Sequence, residues 1–127
     1  MLGSPYPTRF IADSIRGRSL VSMERAVQLM TDVPARFFGL HQRGRIAMGY
    51  RADVVIFDPA RIDSSPARVQ FDLPGESKRL VADPIGIERV LVNGQETIID
   101  GQPTGNTPGT LLRAGRDTSG TQTGGAS

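Results

Sequence analysis

The sequence has no cysteine, no tryptophan and a single histidine among its 127 residues. Without thiols it can build neither a disulfide framework nor a thiolate metal site, and its redox compartment leaves no mark on it. A catalytic zinc site needs about three protein ligands, usually with two or three imidazoles among them. His41 alone cannot supply them. It would also have to be the base of any Ser-His-Asp grouping, so none is suggested. No apolar run reaches about 18 residues, and no charged-then-apolar leader opens the chain. The expectation is a cytoplasmic chain with no membrane partner.

Aromatic side chains are also few, with two tyrosines and five phenylalanines. A basic single-strand nucleic-acid binder needs aromatic platforms on a cationic face, which these cannot form. Fifteen Lys and Arg against thirteen Asp and Glu leave a net charge of +2, too small to imply a nucleic-acid partner. Fourteen of the fifteen cations are arginine, scattered without a run, and they read as solvated positions or ion-pair partners.

What is present is an ordered succession of helical and then extended segments, in a chain sized for one domain at most. "MLGSPYPT" suits a loop, and Thr8 can cap a short helix carrying Phe10, Ile11 and Ile15 that ends at Gly17. Ser22 is a plausible N-cap with Glu24 in the first turn. Met23, Ala26, Val27 and Met30 then follow at i, i+3, i+4 and i+7 as the apolar stripe of an amphipathic helix. A third helix is expected from Pro34 to Gly39.

From residue 44 the pattern turns extended. "DVVIFDP" predicts a strand over Val54 to Phe57 without alternation, hence covered on both faces, and ended by Asp58-Pro59. Residues 60 to 86 carry Pro66, Pro74 and Pro84 and read as a long connection with one short strand near Arg68 to Phe71. In "IERVLVNGQETIIDGQPTG", Asn93-Gly94 supplies the two positive-φ positions of a type I′ turn. The register that follows pairs Val92 with Gln95, Leu91 with Glu96, Val90 with Thr97 and Arg89 with Ile98. It puts Val90, Val92, Thr97 and Ile99 on one face. "TLLR" is expected to add a last short strand, and residues 114–127, with no apolar side chain but alanine, a disordered tail.

Candidate chemistry is thin. His41 reads as a loop residue after a helix end, Asp53 as a turn residue entering the strand and Asp58 as the start of an Asx-type turn before Pro59. Ser4, Tyr6 and Thr8 lie in a Pro-rich loop, where hydroxyls reach ligands or satisfy local backbone. "GNTPG" is no phosphate loop, since Pro stands where a backbone donor is needed and no Lys follows. Met23, Met30 and Met48 read as packing residues.

The order of segments says more than any one residue. "SMERAVQLMTDVPARFFGLHQRGRIAMGYRADVVIFDPARI" followed by "IERVLVNGQETIIDGQPTGNTPGTLLR" resembles the carboxy-terminal end of the amidohydrolase superfamily. Within it the look is closest to the N-acyl-D-amino-acid deacylases, or D-aminoacylases. The likeness covers residues 1 to 113, while residues 63 to 86 depart from the family's usual connection, which is richer in Tyr, His and Asp.

The resemblance implies an α+β fragment. Residues 1–43 would be the last helical elements of a TIM-like barrel, and residues 44–113 strands of a small composite β-sandwich shared with the missing N-terminal part of the enzyme. The family's metal ligands and catalytic Asp lie upstream on the barrel strands, so no catalytic or metal residue carries over to this chain. The loop of residues 1 to 8 would sit at the pocket rim, which makes Ser4 and Tyr6 the substrate-proximal candidates. In the complete enzyme, zinc would polarise the acyl carbonyl of an N-acyl-D-amino acid and activate water. The 127 residues by themselves would be inactive. A competing expectation, from the residues alone, is a free-standing β-rich interaction module presenting an exposed sheet edge or apolar patch.

Overall fold

A computed structural model describes residues 6–120. Three short helices come first: α1 (Tyr6–Ala12), continued by a π-helical turn at Asp13–Gly17, then α2 (Met23–Met30) and α3 (Asp32–Phe37). Ser22 caps α2 as expected, its Oγ accepting the Arg25 N–H at 3.2 Å and satisfying one of the orphan donors of the first turn. The third helix begins two residues before Pro34, because Asp32 opens its first turn. The three helices gather around a small apolar centre of Ile11, Ala12, Ala26 and Ala35. Among the described residues no helix is long and apolar enough to cross a membrane.

The extended half holds eight strands among the described residues. Four form an antiparallel sheet in the order β1 (Val54–Phe57), β6 (Ile87–Val92), β7 (Gln95–Ile99), β8 (Gln102–Pro103). Asn93 and Gly94 take φ of +48° and +79°, and the pairs Val92–Gln95 and Leu91–Glu96 stand as expected. Beyond them the register shifts. Val90 pairs with Ile98 and Arg89 with Ile99, leaving Thr97 as the extra residue of a bulge, with its Oγ1 donating to the Val90 carbonyl at 3.1 Å. The bulge exchanges the faces of Ile98 and Ile99, so one row across the sheet runs Val55, Val90, Ile98, Pro103.

Further expectations are overturned. Residues 60 to 86 are not a connection with one strand but two ladders: β2 (Asp63–Ser64) with β5 (Pro84–Ile85), and β3 (Arg68–Leu73) with β4 (Ser77–Val81). Prolines at the ends of these strands, not inside them, leave the ladder hydrogen bonds possible. "TLLR" forms no strand. Residues 114–120, expected as the start of a disordered tail, are tied to the end of α3: His41 N–H donates to the Asp117 carbonyl and Ser119 N–H to the Gly39 carbonyl. Residues 121–127 lie outside the described part.

Burial is sparse. Among the described residues Ile62, just ahead of β2, is the one large side chain that is fully buried, and no side chain of the four-stranded sheet is buried. The cover expected over both faces of β1 is absent: Val55 is 52% exposed and Ile56 42%.

Candidate functional site

The α1–β2 junction joins the helical half to the extended half, and polar contacts hold it. Thr8 Oγ1 and Ser64 Oγ lie 2.5 Å apart, and Arg9 bridges Asp13 at 3.2 Å and Asp63 at 3.4 Å. Arg16 donates to the carbonyl of Pro59 at 2.7 Å and also to that of Ile62. Thr8, read from sequence as a helix cap, is instead inside α1 and spends its hydroxyl on the strand. Tyr6 stands at the exposed start of the same helix, 64% accessible, and Ser4 lies outside the described residues.

A second cluster centres on Asp32. Its carboxylate is 7% exposed yet takes Arg45 in a two-point contact, Nε to Oδ1 at 2.5 Å and Nη2 to Oδ2 at 3.1 Å, with Arg36 at 3.0 Å. The Arg45 hydrogen bonds, then the Arg36 charge, hold the Asp32 carboxyl below its ordinary range against the opposing effect of burial. This pairing fastens the segment after α3 back onto the helix start. The (i, i+4) Asp32–Arg36 spacing was visible in sequence; the loop-borne Arg45 was not.

A third group surrounds an open cleft of about 510 Å³ between the end of α3 and the terminal turn, lined by His41, Gln42, Arg43, Arg51, Leu112 and Arg116 among others. His41 Nε2 meets Ser119 Oγ at 2.8 Å, which fits the ordinary role expected for it. Asp53, expected as a turn residue, accepts the Asn93 N–H at 2.9 Å and pairs with Arg43, locking the hairpin turn to the entry of β1. Asp58 makes the expected Asx turn, its Oδ1 accepting the Ala60 N–H at 2.8 Å.

Among the described residues no three His, Asp or Glu side chains come together in a way that could hold a metal ion. The chemistry legible here is positioning: arginines fastening one segment to another.

The model of the amidohydrolase family matches residues 8–104. The chain belongs to that family. Among relatives, N-acyl-D-glutamate deacylase of Alcaligenes xylosoxydans xylosoxydans is 41% identical over 106 residues, 84% of this chain and 20% of the relative. N-acyl-D-aspartate deacylase of the same organism is 35% identical over 109 residues, 85% of this chain and 20% of the relative. The solved structure of the Bordetella bronchiseptica N-acyl-D-glutamate deacylase, in complex with zinc and a phosphonate mimic of the tetrahedral intermediate, shares 40% identity at a TM-score of 0.64. The match covers 84% of this chain and 20% of that one. A D-aminoacylase crystal structure gives 33% identity and a TM-score of 0.61 over 80% of this chain. This amidohydrolase chain therefore spans about a fifth of the length of the relatives it matches.

Proposed function

We propose that this chain is the C-terminal segment of a metal-dependent amidohydrolase that cleaves the amide bond of N-acyl-D-amino acids. It supplies scaffold and part of the pocket rim and turns over nothing alone. The observation that carries this reading is the four-stranded sheet without one buried side chain, in a chain a fifth as long as its deacylase relatives. A sheet must cover its apolar face to be stable, and here the row runs through Val55, half exposed, and through Val90 and Ile98, neither of them buried.

In this reading the helices before residue 40 are the last helical elements of a TIM-like barrel. The strands after residue 44 belong to a small β-sandwich completed by strands from the rest of the polypeptide. The step from helices to strands between Phe37 and Val54 supports that division. The donor set does not fit a zinc ion: the single imidazole is engaged with Ser119, and no group of three His, Asp or Glu side chains forms around it among the described residues. The metal accordingly belongs to the remaining four-fifths, and no chemical step is assigned to side chains of this chain. Ser4 and Tyr6 are the proposed rim residues. The exposed ring of Tyr6, at the start of the helix that joins the two halves, is free to face a substrate.

Exchange of segments tests this directly. The Alcaligenes N-acyl-D-glutamate deacylase without the fifth of its length that this chain matches should be inactive. The same enzyme carrying this chain in that place should release D-glutamate from N-acetyl-D-glutamate. The purified 127 residues should retain no stoichiometric zinc after dialysis and release no amino acid. Zinc with turnover from the isolated chain would overturn the proposal.

A further inference from the structure

Three arginines from three separate segments reach the cleft between α3 and the terminal turn: Arg43 after the helix, Arg51 ahead of β1, and Arg116 in the turn itself. Two of them are aimed by their own carboxylates. Arg43 pairs with Asp53 and keeps only 15% of its side chain exposed, and Arg116 Nη2 lies 2.7 Å from Asp117 Oδ2. The side chain of Arg51 makes no hydrogen bond or ion pair among the described residues. Its backbone is nonetheless fixed, its N–H donating to the Gln42 carbonyl at 2.9 Å. Three guanidiniums against two carboxylates leave the cleft one positive charge in excess, with Leu112 forming an apolar wall beside it.

We propose that this cleft is a binding site for a small oxyanion, a carboxylate or a phosphate, with Arg51 as its principal donor. A guanidinium presents paired N–H groups in a rigid fork that matches two oxygens of either anion. Arg43 and Arg116, already neutralised, add directed donors without further desolvation of bare charge, and the Leu112 side chain accommodates a short apolar portion of the ligand. Because the site is open, its attraction is screened, and binding weakens as salt rises. The site stands independently of the amide-hydrolase reading, since no hydrolysis is required of it.

The test is titration of the 127-residue chain with inorganic phosphate and, separately, with glutarate at fixed ionic strength, followed residue by residue in nitrogen–proton correlation spectra. Saturable shifts confined to residues 41–43, 51 and 110–117 are expected, and the arm that saturates at lower concentration names the anion. Arg51→Gln should weaken binding roughly tenfold or more, as loss of a charge-assisted pair does. Arg51→Lys should fall between, and Arg61→Gln, exposed and outside the cleft, should bind as the unmodified chain does. The spectrum of each variant reports whether it folds, and the map on the unmodified chain decides the matter without any variant. Shifts spread over every arginine, no saturation with either anion, or unchanged binding by a folded Arg51→Gln chain would each overturn the proposal.

Discussion

At the scale of the residue, arginine carries much of the organisation. Nine of the fourteen arginines stand in ion pairs among the described residues, which bears out their reading as pair partners. Most of these pairs are exposed and contribute little each. Asp32 differs, because its carboxylate is buried while Arg45 and Arg36 reach it from outside. Its folded pKa is depressed, so its contribution to stability is present above the unfolded value near pH 4 and is lost as pH falls through the lower folded value. Acid titration should therefore loosen the Gly44–Ile46 segment from α3 only below about pH 4. Arg45→Met should leave the segment loose from α3 at every pH and raise the pH at which Asp32 protonates, read from its side-chain carboxyl resonance. Gly86 sets a second residue-scale expectation: its φ is +77°, and a β-carbon there would lie 2.7 Å from the Ile62 nitrogen. Gly86→Ala should cost about 1–3 kcal/mol from the conformation alone. The loss is measurable as faster amide exchange at Asp58, whose N–H donates to the Gly86 carbonyl.

At the scale of the element, local signals were legible wherever one short stretch contained the whole cause. The Ser22 cap, the Asn93-Gly94 turn, the Asp58 turn and the strand from Val54 to Phe57 each rest on a few adjacent residues, and each is found. The bulge at Thr97 was not legible, because it depends on which carbonyl of the neighbouring strand the threonine hydroxyl reaches. The β3–β4 ladder was only half legible. Val69 pairs with Leu80 on one side, both exposed, and the Arg79–Asp72 pair lies on the other, while a bulge between Gln70 and Leu73 brings Leu73 opposite Ser77. Prolines around it hid the pattern. Since this ribbon makes its main contacts within itself, replacing residues 69–80 with a two-residue turn should leave the resonances of the four-stranded sheet in place. Broad shifts through β1 and β6 would show instead that the ribbon supports the sheet.

At the scale of the whole molecule, exposed apolar surface is the dominant property. Phe37, Phe38, Ile46, Met48, Val55 and Phe71 are all more than half exposed. In the proposed reading the rest of the enzyme covers this surface. The isolated chain should bind an apolar reporter dye strongly and melt with low cooperativity. The segment-exchanged deacylase that it completes should do neither. A sharp thermal transition and no dye binding by the isolated chain would favour a self-sufficient module over a segment of a larger enzyme.

The succession of a helical half and an extended half, the helix cap, the hairpin turn, the shortage of metal-binding donors and the kinship with amidohydrolases were all determined by sequence. They depend on residue identity and short-range geometry. Tertiary structure alone decided the register past Leu91, the fastening of α1 to β2 through Thr8, Arg9 and Arg16, and the docking of the terminal turn on α3. It alone decided, too, that of the three arginines gathered at the cleft Arg51 is the one with no carboxylate against it among the described residues. Those outcomes turn on distances between residues remote in the chain, and a side chain's nearest neighbour across such a distance is set by folding and not by spacing.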